Sequence, residues 1–135
     1  MRNFWIRWLQ VVLGLLLLYS LLLALNGRIA EELFTILGFG PPETIAVAKG
    51  HDYLRLPFLV LGAVLAGWSA LMLLLVRGPL TAGQPWVVGL LFWPVAVWFV
   101  LDTGMSLALG YPSHALFNLP FFAALGIPLF QLRKK

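Results

Sequence analysis

The sequence predicts an all-α fold: an integral membrane four-helix bundle with a short interfacial helix in its long outer loop. Composition and the placement of apolar runs lead to this prediction. Hydrophobic residues make up 61% of the 135 residues and charged residues 10%, whereas a soluble domain carries about 25% charged residues. Because disorder needs low hydrophobicity and high charge, this composition excludes both a water-soluble globule and a disordered chain.

The apolar runs indicate a single transmembrane domain over residues 1–135. The predicted spans cover about residues 8–26, 54–77, 85–109 and 113–132, and the outer loop covers residues 27–53. Each run is long enough for a helix that crosses the hydrocarbon, which takes about 20 residues. The first run also resembles a signal peptide, but residues 22–24 fit the cleavage pattern poorly, so we expect a retained span.

The outer loop contains apolar residues at helical spacing: Ile29, Leu33, Ile36 and Leu37. Charged and polar residues stand between them and Gly38 follows, which predicts a short helix in the membrane interface. We interpret the loop as an ordered cap over the bundle. A lid or a docking surface is the alternative, since loops of this length usually have a role.

Charge sets the predicted orientation. The side with both termini and the loop at residues 77–84 carries six basic residues and no acid: Arg2, Arg7, Arg77, Arg133, Lys134 and Lys135. The other side carries three basic residues and all five acids: Arg28, Lys49, Arg55, Glu31, Glu32, Glu43, Asp52 and Asp102. The positive-inside rule therefore predicts a multi-pass inner membrane protein with cytoplasmic N- and C-termini.

Several classes of function lack the residues they need. The chain has no cysteine, which excludes disulfides, thiolate metal sites and cysteine nucleophiles. It has no nucleotide-binding loop, metalloprotease motif or serine triad, so we predict no cofactor, metal or catalytic residue. The net charge of +4 does not indicate nucleic acid, because the basic residues flank apolar runs as membrane anchors do.

Small residues and prolines bear on how the spans pack. The second span carries two series at helical spacing, Gly62 with Ala66 and Ala63 with Gly67 and Ala70, so we expect it to be the central packing helix. Three prolines lie inside the later spans: Pro94, Pro120 and Pro128. Each should kink its helix and free a main-chain carbonyl.

Three tryptophans lie within spans: Trp68, Trp93 and Trp98. We interpret them as packing or lipid contacts, with stacking on a pigment or quinone ring as the alternative.

Polar residues converge at the outer end of the spans. Asp102 and Ser106 are four residues apart on the third helix, and His114 and Asn118 are four apart on the fourth. Because residues 110–113 form a tight connector, we expect the two pairs to face each other. The other members of this candidate pocket come from the first two spans: Tyr19, Asn26, His51, Asp52 and Arg55.

Asp102 is the central candidate of this group. At 1.5 Å per residue it lies about 25 Å along its helix, near the outer hydrocarbon boundary. A carboxylate within the membrane costs about 3 kcal/mol, so it marks a candidate functional site with a partner to identify. The candidate partners are His114, Arg55 and the hydroxyls of Thr103 and Ser106.

Four interpretations of the polar group remain open. The first is structural: interhelical hydrogen bonds and helix capping. The second is a pocket that opens to the outer side and binds a small molecule or a lipid headgroup. The third is a metal or haem site that uses His51 and His114 with Asp52 or Asp102. The fourth is an acid/base pair of Asp102 and His114.

The residues that carry a resemblance lie in the second half of the chain: residues 98–103, Ser106, Gly110, residues 117–118 and residues 128–129. This pattern resembles the C-terminal half of small four-span bacterial membrane proteins of no assigned function. The resemblance implies a four-helix fold, and it implies that Asp102 and Asn118 are the positions to test.

Two functions are predicted ahead of an enzyme. The first is a non-catalytic accessory subunit or scaffold that packs against other membrane chains or against itself, with the lipid bilayer as its surroundings. The second is a membrane protein that binds a small molecule or lipid in the outer polar pocket.

Overall fold

The computed structural model describes residues 1–26, 32 and 50–133, except for the side chains of residues 50–56. The predicted interfacial helix and most of the outer loop lie outside the described residues, as do Lys134 and Lys135.

The described residues form four long helices and no strand. These are α1 (Arg2–Leu25), α2 (Gly50–Leu75), α3 (Trp86–Ala108) and α4 (Pro112–Arg133), and a π-helical turn (Val76–Leu80) continues α2. The all-helical prediction is therefore confirmed for these residues. Each helix also contains a stretch that is long and apolar enough to cross a membrane.

The helices pack in the order α2, α1, α4, α3. Helix α1 contacts both α2 and α4, and α3 packs against α4, but α2 and α3 touch only marginally. The expectation that the second span is the central packing helix is therefore wrong. Only one face of α2 meets a neighbour closely: Gly62 is buried, whereas Ala63 and Gly67 of the other small-residue series are exposed.

Gly62 sets the closest approach of α1 and α2. A Cβ atom at this position would lie 2.5 Å from the main-chain nitrogen of Ala24 and 2.8 Å from its Cα. Since no side chain fits there, glycine lets the two backbones touch, as small residues do between membrane helices.

Helices α1 and α3 begin at one end of the bundle, and α2 and α4 finish there. We call this end the basic end. Two long-range hydrogen bonds join the helices there. Arg2 Nη2 donates to the main-chain oxygen of Leu80 at 2.6 Å, and Trp8 Nε1 donates to that of Ala124 at 2.9 Å. Four arginines lie at this end: Arg2, Arg7, Arg77 and Arg133.

The hydrophobic core fills the half of the bundle next to the basic end. Its fully buried side chains include Leu9, Leu13, Val76, Val87 and Leu129. Every buried residue of this cluster lies in the half of its helix nearest the basic end. The opposite half has a different interior, which contains the candidate site.

Candidate functional site

The α3–α4 connection positions the site. Gly110 has a φ of +82°, a left-handed conformation that glycine adopts without strain. The Gly110 N–H donates to Leu107 O at 3.1 Å, and the Tyr111 N–H donates to Ser106 O at 2.8 Å. This is a Schellman motif, and it ends α3 so that α4 starts at Pro112, four residues after the last residue of α3, and runs back alongside it.

The tight turn brings a polar cluster together, defined here as Asp102, Thr103, His114 and Asn118. Asn118 Nδ2 donates to Asp102 Oδ2 at 2.8 Å and lies 3.2 Å from Thr103 Oγ1. His114 Nε2 lies 3.2 Å from the same Asp102 oxygen. The expectation that the two spaced pairs face each other is confirmed for Asp102, His114 and Asn118.

Burial differs sharply within the polar cluster. Asn118 is 2% exposed, whereas the side chain of Asp102 is 37% exposed and that of His114 is 19% exposed. Asn118 therefore acts as a buried support, and the carboxylate that it holds keeps an accessible surface.

Ser106 has a different role from the one its spacing predicted. Its Oγ donates to the main-chain oxygen of Asp102 at 2.6 Å, one turn back on the same helix. It is 7% exposed and does not line the cavity described next. Thr103, a candidate partner of Asp102, contacts Asn118 instead.

A cavity of about 350 Å³ lies between the four helices in the half away from the basic end. Its lining is largely apolar, with Asp102, His114 and Asn118 of the polar cluster on one side. The lining residues are Leu16, Tyr19, Leu23, Leu61, Leu65, Trp68, Trp98, Asp102, His114, Phe117, Asn118, Phe121 and Leu125. Leu125 also belongs to the hydrophobic core, so the core closes the cavity toward the basic end.

Trp68 and Trp98 meet where α2 and α3 are otherwise apart. Their ring centroids are 6.5 Å apart with an interplanar angle of 44°, within the range of aromatic contacts. Both rings line the cavity. Trp93, by contrast, is 68% exposed on the outside of the bundle.

The remaining predicted site residues divide into two groups. Tyr19 lines the cavity, whereas Asn26 is an exposed residue at the end of α1 and does not. The backbones of His51, Asp52 and Arg55 belong to α2, but their side chains lie outside the described residues. Sequence reasoning missed the apolar wall from α2, because Leu61 and Leu65 look like any lipid-facing leucine.

The site offers an anchored carboxylate beside an imidazole. Among the described residues no group of three His, Cys, Asp or Glu side chains could hold a metal ion. The His51 and Asp52 side chains, on which the metal hypothesis partly depends, are not described. The described lining also has no Ser, Thr or Cys that could serve as a nucleophile beside His114. The described lining therefore surrounds one carboxylate–imidazole pair with a largely apolar wall.

No family model, no curated protein and no solved structure matches this chain. The resemblance to small four-span bacterial membrane proteins therefore stays a prediction.

Proposed function

We propose that this is a multi-pass inner membrane protein that binds a small amphiphile in the cavity beside Asp102, from the outer leaflet. One observation carries the proposal: the Asp102 side chain is 37% exposed in the lining of a cavity that is otherwise largely apolar. Ligand pockets combine an apolar lining with a few placed polar groups in this way, and about 300 to 1,000 Å³ is their usual size.

The purely structural interpretation accounts less well for Asp102. A carboxylate used only to join helices would gain most from burial with both oxygens hydrogen-bonded, since a partly satisfied charge at this depth is costly. Here Asn118 and His114 both approach Oδ2. They also tie α3 to α4, two helices that the Gly110 turn already holds together.

The proposed orientation puts both termini and the basic end in the cytoplasm. The support is the positive-inside rule, applied to a bundle whose basic end carries Arg2, Arg7, Arg77 and Arg133. The cavity then lies in the outer half of the membrane, and the core blocks it on the cytoplasmic side.

The test is ligand retention in nanodiscs made from native membrane, measured by native mass spectrometry. We expect a bound small molecule on the 15.0 kDa chain, which Leu65→Trp displaces because Leu65 lines the cavity. The matched control is Val64→Trp, since Val64 is 63% exposed on the same helix. A bare chain in the wild type, or equal loss in both variants, would contradict the proposal.

A second candidate function is that of an accessory subunit or scaffold that packs against another membrane chain or a second copy. It is favoured by an exposed groove on α3, lined by Trp86, Gly89, Leu90, Trp93 and Pro94. Nothing lies within 4 Å of the position of a Gly89 Cβ.

The same spectra test this second function. Added mass from whole chains is expected, and Gly89→Leu should reduce it by filling the groove. Gly104→Leu is the control, because Gly104 is also open but lies near the other end of α3. A strictly monomeric protein without partners in native-like lipid would rule the subunit function out.

A further inference from the structure

We propose that the cavity selects amphiphiles whose head carries a primary ammonium group, which binds to Asp102. This inference rests on the proposed function, that the cavity binds an amphiphile. It adds the charge and the hydrogen-bonding character of the head.

The first step concerns the two oxygens of the carboxylate. Asn118 Nδ2 and His114 Nε2 both approach Oδ2, at 2.8 Å and 3.2 Å. Within the described part of the chain, no donor is assigned to Oδ1. Because the side chain keeps 37% of its surface exposed and lines the cavity, a ligand that donates hydrogen bonds can complete this carboxylate.

The second step concerns charge. The described lining contains no lysine and no arginine, and the group in it that lies closest to Asp102 and can carry a positive charge is His114, at 3.2 Å. A carboxylate head would face like charge in a medium of low dielectric constant. An alcohol would donate a hydrogen bond to the carboxylate but bring no charge, whereas an ammonium would donate a hydrogen bond and also bring the opposite charge.

The third step concerns the aromatic wall. Trp98 lies one turn before Asp102 on α3. Trp68 contacts Trp98 from α2, with ring centroids 6.5 Å apart. Phe117 and Phe121 line the cavity from α4, with centroids 5.0 Å apart. Aromatic faces attract cations, most strongly in the case of tryptophan. The aromatic residues around Asp102 therefore favour a positively charged ligand, as the Asp102 carboxylate does.

The size of the cavity bears on the source of the ammonium. About 350 Å³ accommodates a headgroup and part of an alkyl chain but not a whole phospholipid. The remainder of an alkyl chain would then leave the cavity between α2 and α3, which touch only marginally apart from the contact of Trp68 with Trp98. The ammonium therefore belongs either to a single-chain alkylamine or to the headgroup of phosphatidylethanolamine.

The experiment compares three matched probes in phosphatidylcholine nanodiscs: dodecylamine, dodecanoic acid and dodecanol. Native mass spectrometry gives the fraction of protein that carries each probe. We expect dodecylamine to be retained about tenfold better than either of the others, because it alone forms an ion pair with the carboxylate. Asp102→Asn should remove this preference, and Asp102→Glu should restore part of it.

A second arm distinguishes the sources. Nanodiscs that contain equal amounts of phosphatidylethanolamine and phosphatidylcholine are stripped stepwise, and the last lipid retained is identified. Retained phosphatidylethanolamine that is lost in Asp102→Asn indicates the headgroup, and retention of dodecylamine alone indicates a free amine.

The two proposals fail in different ways. Equal retention of the three probes by the wild type overturns the ammonium inference but leaves amphiphile binding in place. If no probe is retained, and Leu65→Trp does not change the amount of ligand retained from native membrane, the proposal of amphiphile binding fails as well. Because the comparison of probes uses the wild type, it decides the inference even if Asp102→Asn does not fold.

Discussion

The indole Nε1 of Trp8 donates a 2.9 Å hydrogen bond to the main-chain oxygen of Ala124, which is four residues before Pro128. In a regular helix, the N–H of residue 128 would bond to that oxygen, and proline has no N–H. The tryptophan of α1 therefore replaces a hydrogen bond that α4 cannot make for itself, and the proline that weakens α4 also attaches it to α1.

Trp8→Phe should destabilise the protein by about 1 kcal/mol, the usual net value of a hydrogen bond. The loss should shrink in a Pro128→Ala background, where the helix supplies its own donor to Ala124. The measurement is a double-mutant cycle on thermal unfolding in detergent micelles. Trp86→Phe is the control, because Trp86 is 57% exposed. Equal effects of Trp8→Phe in both backgrounds would contradict the link to Pro128.

Gly62→Ala should destabilise the bundle by about 1 to 3 kcal/mol, since the new methyl would overlap the Ala24 backbone. Gly67→Ala on the same helix is the matched control, because nothing lies within 4 Å of its Cβ position. That change should be neutral or slightly stabilising, given the higher helix propensity of alanine. The comparison fails if the two variants unfold at the same temperature.

Asp102 and Asn118 should show energetic coupling of about 0.6 kcal/mol, the average for side-chain hydrogen bonds within membrane proteins. The cycle consists of Asp102→Ala, Asn118→Ala and the double variant, followed by unfolding. Ser69→Ala paired with Asp102→Ala gives the reference, because the Ser69 hydroxyl bonds only within its own helix, to Leu65 O. Additive effects for Asp102 and Asn118 would mean that their 2.8 Å contact contributes nothing.

The orientation can be read by cysteine labelling, since the natural chain has no cysteine. Ser113→Cys and Gln84→Cys each introduce one thiol at an exposed position, at opposite ends of the bundle. A membrane-impermeant maleimide added to intact spheroplasts should label Ser113→Cys alone, and Gln84→Cys only after permeabilisation. The reverse pattern would place the cavity on the cytoplasmic side.

The sequence predicted the helices and the polar cluster for simple physical reasons. Long apolar runs leave few alternatives to a helix in lipid, and four-residue spacing puts His114 and Asn118 on one face. With a short turn between the helices, Asp102 had to lie near both.

The packing partners were harder to predict. Apart from the polar cluster, the described parts of the helices are apolar on all sides over most of their length, so no long polar face determines how each one is rotated. The small residues of α2 therefore indicated two contact faces, and only the face with Gly62 is buried. For the same reason, nothing in the sequence distinguished Trp68, which lines the cavity, from Trp93, which is exposed.

The separation of core and cavity has a consequence for how this protein can change. Substitutions in the cavity lining leave most of the buried core cluster untouched, because Leu125 is the one residue of that cluster in the described lining. The proposed ligand preference can therefore drift over generations while the hydrophobic core next to the basic end stays unchanged.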